Sequence, residues 1–396
     1  MNNLRRICIL GSTGSIGQST LAVVDANPTF EVVALSGHRN IDLLLQQCLK
    51  YQPKIAVVSR SEDAKGLADS LKSAGSKVEV LWGADALSTA ASDDSVDMVM
   101  AAIVGAAGLE STLSAARAGK TLLLANKESL VMSGDLLFRE IEASGATLIP
   151  IDSEHNAIFQ CLPQNLSGQC GDSTKYVSKI ALTASGGPFL DKPLTEFGDI
   201  TPAEACKHPT WSMGQKISVD SATMMNKGLE FIEASLLFGL APHQIDVLIH
   251  PQSTIHSLVY YKDGSVLAQL GCADMRIPIA HGMAYPERIE SGAESLDLIA
   301  MGSLEFFEPD YKRFPCLKLG IDATRQGGTT PTLLNAANEI AVAAFLGGQI
   351  KFIEIAEINE QVLSKIPCEP ASSLAIIRDA DSLARNITKE LILKKN

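Results

Sequence analysis

The chain has 396 residues, 46% of them apolar and 20% charged. This composition excludes long disorder, and the length exceeds what one hydrophobic core usually serves, so two or three domains are expected. A formal net charge of −12, with no basic run interleaved with aromatics, excludes nucleic acid as the expected partner. No segment approaches the ~18 consecutive apolar residues of a membrane helix, and the apolar stretch before Leu10 is too short for a secretory leader. No membrane association and a cytoplasmic address are therefore expected.

From Arg6 to about Pro150, short aliphatic and β-branched runs at 7–10, 31–35, 54–58, 78–81, 96–103, 121–124 and 147–151 alternate with stretches of helical character. Such alternation predicts βαβ units and a doubly wound, Rossmann-like parallel sheet. Beyond Ile151 the pattern changes: 176–183 and 246–250 read as strands, while 254–261 and 265–271 flank Lys262-Asp263-Gly264, a hairpin signal. Between them, Met225, Leu229, Ile232, Leu236 and Leu240 keep helical spacing over 224–240. The segment 286–313 lacks periodicity and is rich in Glu, Gly, Pro and Ser. Thr330-Pro331 then reads as an N-cap and first-turn proline of a helix through Phe345, ended by Gly347-Gly348, with further helical patterns at 353–366 and 372–393. The predicted fold is α/β in three domains and a connector: a nucleotide-binding domain (1–150), a central α+β catalytic domain with a lid (151–285), the connector (286–313) and a C-terminal α-helical domain (314–396).

The first strand runs into Gly11-Ser12-Thr13-Gly14-Ser15-Ile16-Gly17, followed by an amphipathic helix from about Gln18. The spacing is G-x-x-G-x-x-G, not the commoner G-x-G-x-x-G, but the mechanism is the same: glycines let backbone N–H groups approach a pyrophosphate at a helix N-terminus. After the second strand, Ser36-Gly37-His38-Arg39-Asn40 offers no acid to the ribose hydroxyls of NAD. Arg39 suits a 2′-phosphate, which points to NADPH, although the residue also reads as a solvated surface arginine.

Asp152 and Glu154 follow the last strand of the first sheet and, in extended backbone, point the same way, so they can converge on one hard cation. The bare pair also fits a solvated loop. Along a helix starting near Ser221, Asn226 and Lys227 share a face with Glu230. From spacing alone this is as well a wet helix surface with one ion pair, yet Ser221, Asn226 and Lys227 are suited to hold a phosphate. Ala184-Ser185-Gly186-Gly187-Pro188-Phe189 ends a strand with backbone free to approach a ligand. His208-Pro209-Thr210-Trp211-Ser212-Met213-Gly214 reads as a closing lid, although Trp211 and His208 also fit structural roles. The eight cysteines, Cys8, Cys48, Cys161, Cys170, Cys206, Cys272, Cys316 and Cys368, form no C-x-x-C pair, so reduced and mostly buried thiols are expected.

These segments, with Leu124-Ala125-Asn126-Lys127-Glu128-Ser129-Leu130, Asp152-Ser153-Glu154-His155-Asn156 and the stretch from Val219 to Glu230, occur in an order that resembles the 1-deoxy-D-xylulose 5-phosphate reductoisomerase family. The resemblance implies that Thr13, Gly14, Ser15, Ile16, Arg39 and Asn40 hold NADPH, flanked by Gly37 and His38 and joined by Asn126, Glu128 and Gly214. It implies that Asp152, Glu154 and Glu230 bind Mg²⁺, Mn²⁺ or Co²⁺. Lys127, Ser153 and Glu154 would touch a phosphosugar whose phosphate is cradled by Ser185, Ser221, Asn226 and Lys227, with His208 nearby and Trp211 on the lid. Asp152, Glu154, Glu230, Lys127 and His208 would carry the chemistry, and a homodimer is implied. A thiolate-dependent semialdehyde dehydrogenase shares the glycine turn, but no cysteine here sits in a reactive setting. An NADPH sensor with a decayed site would lack the ligands that are present.

Overall fold

The computed structural model describes residues 4–163, 171–211 and 213–395; Cys170 and Ser212, singled out above, lie outside the described residues. Each βαβ run of the first part becomes a strand: β1 (Arg5–Leu10), β2 (Phe30–Gly37), β3 (Ile55–Val58), β4 (Glu79–Trp82), β5 (Met98–Ala101), β6 (Thr121–Leu124) and β7 (Thr147–Pro150). They form one parallel sheet in the order β4-β3-β2-β1-β5-β6-β7. β3 and β5 are buried at every residue, as strands covered on both faces must be, whereas the edge strand β4 is half exposed. The order reverses between β1 and β5. At such a switch point the connecting segments leave in opposite directions and open a crevice at the C-terminal strand ends.

A second sheet holds β8 (Val177–Ala184), β9 (Ile245–Ile249), β10 (Ile255–Tyr261) and β11 (Val266–Leu270) in the order β11-β10-β8-β9. β8 pairs with β9 in parallel and with β10 antiparallel, and β10 and β11 form the expected hairpin, with Gly264 at φ +90. The helix Ser153–Cys161 packs on this sheet. The helix Arg276–Ala284, late in the second part, lies instead on the first sheet: a Cβ on Gly282 would sit 2.6 Å from Ile151.

The helix expected to start near Ser221 is in fact two. Gln215–Ala222 carries Ser221 in its last turn, and Met225–Phe238 carries Asn226, Lys227 and Glu230. The break is Met224, held at φ +57 with its side chain buried in the core, a left-handed conformation that a non-glycine sequence does not announce. Four helices, Pro315–Gln326, Thr330–Leu346, Phe352–Lys365 and Leu374–Leu393, form the last part. Thr330 is the first residue of its helix; Thr329 holds the cap position. Among the described residues, no helix is long and apolar enough to cross a membrane.

Candidate active site

At the switch point, Gly11 adopts φ +86, and a Cβ there would lie 2.8 Å from the Ala102 carbonyl beyond β5. Gly17 sits so close beneath the turn that a Cβ would meet Ser12 Cα at 2.4 Å. Only glycine fits at either place. The helix Ser15–Ala26 that follows has Gly14 as its N-cap, no side-chain cap and no acid in its first turn, so its N–H groups and positive end are free for an anion. Beside it, Thr13 leans on Gly37: a Cβ on Gly37 would touch the Thr13 methyl at 3.2 Å. His38, Arg39 and Asn40 are exposed at the end of β2. His38 Nδ1 lies 2.7 Å from Ser59 Oγ, and Asn40 caps the helix Ile41–Tyr51 by accepting from the Leu43 N–H. Thr13, Gly14, Gly37, His38, Arg39 and Asn40 thus gather at the C-terminal ends of β1 and β2, outside the cavity that Ser15 and Ile16 line.

That cavity, about 550 Å³, runs from Ser15 and Ile16 past Asn126, Lys127 and Glu128 to the second part of the chain, a volume suited to a small ligand and the end of a cofactor. Asn126 caps the helix Lys127–Ser144 by accepting from the Ser129 N–H at 2.8 Å, which fixes Lys127 in the first turn. Asp152 caps the helix Ser153–Cys161, and its Oδ1 accepts from the Glu154 N–H at 3.3 Å. The two carboxylates therefore converge from a helix N-terminus and not from extended backbone. Ser153 Oγ donates to Glu154 Oε2 at 2.7 Å.

The donor oxygens of Asp152, Glu154 and Glu230 lie within 4.8 Å of one another. Lys127 Nζ is 2.5 Å from Asp152 and 3.4 Å from Glu230, and Lys227 Nζ is 3.1 Å from Glu154 and also pairs with Glu230. Asn226 donates to Glu230 Oε1 at 2.6 Å. Lys227 and Glu230 are buried, so this is no wet helix face. With Glu233, 3.7 Å from Lys127, four carboxyls face two lysines. Burial, and then the Asp152 charge, raise the pKa of Glu230; burial, and then Glu230, raise that of Glu154. Burial would raise Asp152 too, but Lys127, His155 and Lys227 hold it low. The cluster is short of positive charge, and three hard oxygen donors fit a divalent cation of the magnesium type. Asp152, His155 and Glu233 are similarly spaced, with His155 Nδ1 toward the two carboxylates, but neither His155 nor Glu233 lines the cavity.

At the far end, the left-handed Met224 puts Asn226 and Lys227 in the first turn of a helix, where amide, ammonium and the positive helix end act together. Gly187, at φ +69, approaches so closely that a Cβ would lie 2.8 Å from the Ser221 carbonyl, bringing Ser185 and Ser221 into one wall. His208 Nδ1 accepts from the Trp211 N–H at 2.9 Å, so the proton belongs on Nε2, which donates to Ser185 Oγ at 3.0 Å. The Gly187 N–H donates to the same oxygen at 3.1 Å, which leaves the Ser185 hydroxyl proton for an incoming anion. Burial lowers the His208 pKa to about 4, so the ring is neutral near pH 7. Trp211 is half-buried, its ring 6.1 Å from that of His256, and Gly214 completes this side.

The cavity also takes in Val104, Lys216, Asp220, Ser253 and Met275, which the sequence reading does not single out. Val104 follows a strand C-terminus, the place where ligands gather, and Lys216 and Asp220 carry an i,i+4 signal; Ser253 and Met275 carry none. The seven described cysteines are unpaired. Burial pushes the Cys8, Cys48 and Cys316 thiols up to about 12, and no described cysteine lines the cavity, so a thiolate nucleophile has no candidate among the described residues.

Residues 7–134 match the family model described as 1-deoxy-D-xylulose 5-phosphate reductoisomerase, 148–238 match the C-terminal domain of that name, and 270–387 match the DXP reductoisomerase C-terminal domain. The 1-deoxy-D-xylulose 5-phosphate reductoisomerase of Paraburkholderia xenovorans (strain LB400) is 56% identical over 391 residues, covering 98% of this chain and 96% of its own. That of Cellvibrio japonicus (strain Ueda107) is 54% identical over 397 residues, covering 100% of both. A crystal structure of DOX-P reductoisomerase in complex with NADPH, fosmidomycin and magnesium superposes with a TM-score of 0.94 at 48% identity, covering 98% of each chain. The Zymomonas mobilis enzyme in complex with NADPH gives 0.90 at 47% identity, covering 98% of this chain and 99% of that one. Identity at this level along nearly the entire length, in a fold that matches from the first strand to the last helix, shows that the chain belongs to the 1-deoxy-D-xylulose 5-phosphate reductoisomerase family.

Proposed function

We propose that this chain rearranges 1-deoxy-D-xylulose 5-phosphate and reduces the product to 2-C-methyl-D-erythritol 4-phosphate, with NADPH and a divalent cation, in non-mevalonate isoprenoid precursor biosynthesis. The observation that carries this reading is one continuous cavity joining the free N-terminus of the helix after the glycine turn to the carboxylates of Asp152, Glu154 and Glu230. When bound, NADPH supplies hydride, and the cation, Mg²⁺ with Mn²⁺ as an alternative, draws charge from substrate oxygens.

The residues divide the remaining work. Thr13, Gly14, Ser15 and Ile16 hold the pyrophosphate half of NADPH, while Gly37, His38, Arg39 and Asn40 hold its adenosine half, with Arg39 on the 2′-phosphate. Asn126, Glu128 and Gly214 bound the nicotinamide end. Asp152, Glu154 and Glu230 are the metal ligands. Ser153 and Lys127 contact the sugar, and the Lys127 ammonium stabilises negative charge on its oxygens. Ser185, Ser221, Asn226 and Lys227 take the phosphate, the neutral His208 fixes Ser185, and Trp211 closes the loop 208–214 over the sugar and excludes water. The division into 1–150, 151–285, 286–313 and 314–396, a homodimer and a cytoplasmic address belong to the same reading.

The test is oxidation of NADPH by the purified protein with 1-deoxy-D-xylulose 5-phosphate and Mg²⁺, with and without EDTA. Turnover that EDTA abolishes is expected. Absence of turnover would refute the reaction, and full activity in EDTA would refute the metal.

A further inference from the structure

We propose that Lys216 is a positioning residue for the nucleotide end of the site, and that the C-terminal helices set its place. The loop bearing Trp211 runs into the helix Gln215–Ala222, whose N-cap is Gly214. Lys216 stands in the first turn of that helix, where a cation is opposed by the helix dipole, so the dipole does not account for its place. Its Nζ lies 3.0 Å from Glu128 Oε1 and 2.9 Å from Asp220 Oδ2. Glu128 belongs to the opposite wall, in the first turn of Lys127–Ser144, and accepts from the Asn126 amide at 3.1 Å. One ammonium therefore ties the anchor of the loop to the sheet side of the cavity.

The tie continues inward. Asp220 is 1% exposed, and its Oδ1 accepts from Asn338 Nδ2 at 2.7 Å; Asn338 Oδ1 in turn accepts from Asn359 Nδ2 at 3.2 Å. Both asparagines are fully buried, one on Thr330–Leu346 and the other on Phe352–Lys365. A polar chain so deep adds little net stability over apolar packing, but it fixes one geometry, and the end it fixes is where the facing walls of Glu128 and Gly214 meet. Two of the C-terminal helices thereby gain a role at a site that they do not line. Lys216 acts through Glu128 and Gly214 and touches no transferred atom. The inference rests on the reading of this wall as the nicotinamide end of an NADPH site.

The test titrates full-length enzyme with NADPH, followed by tryptophan fluorescence, and measures KM and kcat. Lys216→Met keeps the stem and removes the charge; it is expected to raise the NADPH Kd and KM about tenfold while leaving the KM for the sugar phosphate within about twofold. Lys216→Arg is expected to recover most of the loss. If Lys216→Met does not fold, Asp220→Asn and Glu128→Gln, each removing one arm, must weaken NADPH more than sugar phosphate. Unchanged NADPH affinity, or equal losses for both ligands that arginine does not recover, would overturn the proposal and leave a structural ion pair. NADPH titration needs no sugar phosphate, so a failure of the turnover assay is read separately from a failure here.

Discussion

Glu230 meets Lys127, Lys227 and Asn226 at once, so neutralising it strips two buried ammonium groups of a partner and removes one of three converging oxygens. Glu230→Gln keeps the shape and the Asn226 contact. It is expected to lower kcat by roughly 10²-fold or more, the scale of a lost electrostatic contact to the transition state, with NADPH affinity nearly unchanged. Near-normal kcat would remove Glu230 from the metal set. Arg39 tests the other end of the cofactor. It is exposed beyond β2, so Arg39→Asp costs little stability and replaces a partner for a 2′-phosphate with a partner for ribose hydroxyls. The ratio of kcat/KM for NADPH over NADH is expected to fall by at least about tenfold; an unchanged ratio would assign Arg39 to solvent. The absence of an acid after β2 is a local chemical fact that the sequence displays. The ion pairs of Lys216 were not legible, because Glu128 becomes its partner only when two walls face each other.

The helix Met225–Phe238 carries Asn226, Lys227 and Glu230, and its placement depends on a crossing with Pro315–Gln326. At the contact, a Cβ on Gly320 would lie 2.4 Å from Gly228 Cα, and one on Gly228 would lie 3.1 Å from the Cys316 carbonyl. Backbone meets backbone, so no side chain can yield. Gly320→Ala is expected to destabilise the protein by about 1–3 kcal/mol through overpacking. It should also lower kcat, because the displaced helix moves Asn226, Lys227 and Glu230 together. Thermal unfolding and turnover measure both; a stable variant with normal kcat would show that the crossing has slack. At this scale the strands were the readable part: aliphatic runs separated by helical stretches admit few alternatives in a doubly wound sheet. The boundary at Met224 was not readable, because tertiary burial of one methionine imposes a left-handed turn that no local signal marks.

Across the whole molecule, the cavity is walled by the first sheet's edge, by the loop after β8 and by two helices that the C-terminal group braces. A ligand bound there faces residues from 15 to 275, and the C-terminal helices pack on two of the helices that carry them, so its binding energy is expected to reach beyond the residues it touches. Binding to the folded state alone adds about 2.7 kcal/mol at a hundredfold excess over Kd. NADPH is therefore expected to raise the melting of the chain as one transition. Mg²⁺ should add a further rise, because a +2 ion relieves repulsion among Asp152, Glu154 and Glu230 within a protein of net charge −12. EDTA should abolish the Mg²⁺ increment only. In Glu230→Gln the Mg²⁺ increment should vanish while the NADPH increment remains, which calorimetry on both proteins resolves. A Mg²⁺ rise that survives Glu230→Gln would locate the ion elsewhere, and an NADPH effect confined to a partial early transition would mean that the C-terminal helices do not share the nucleotide site's stability.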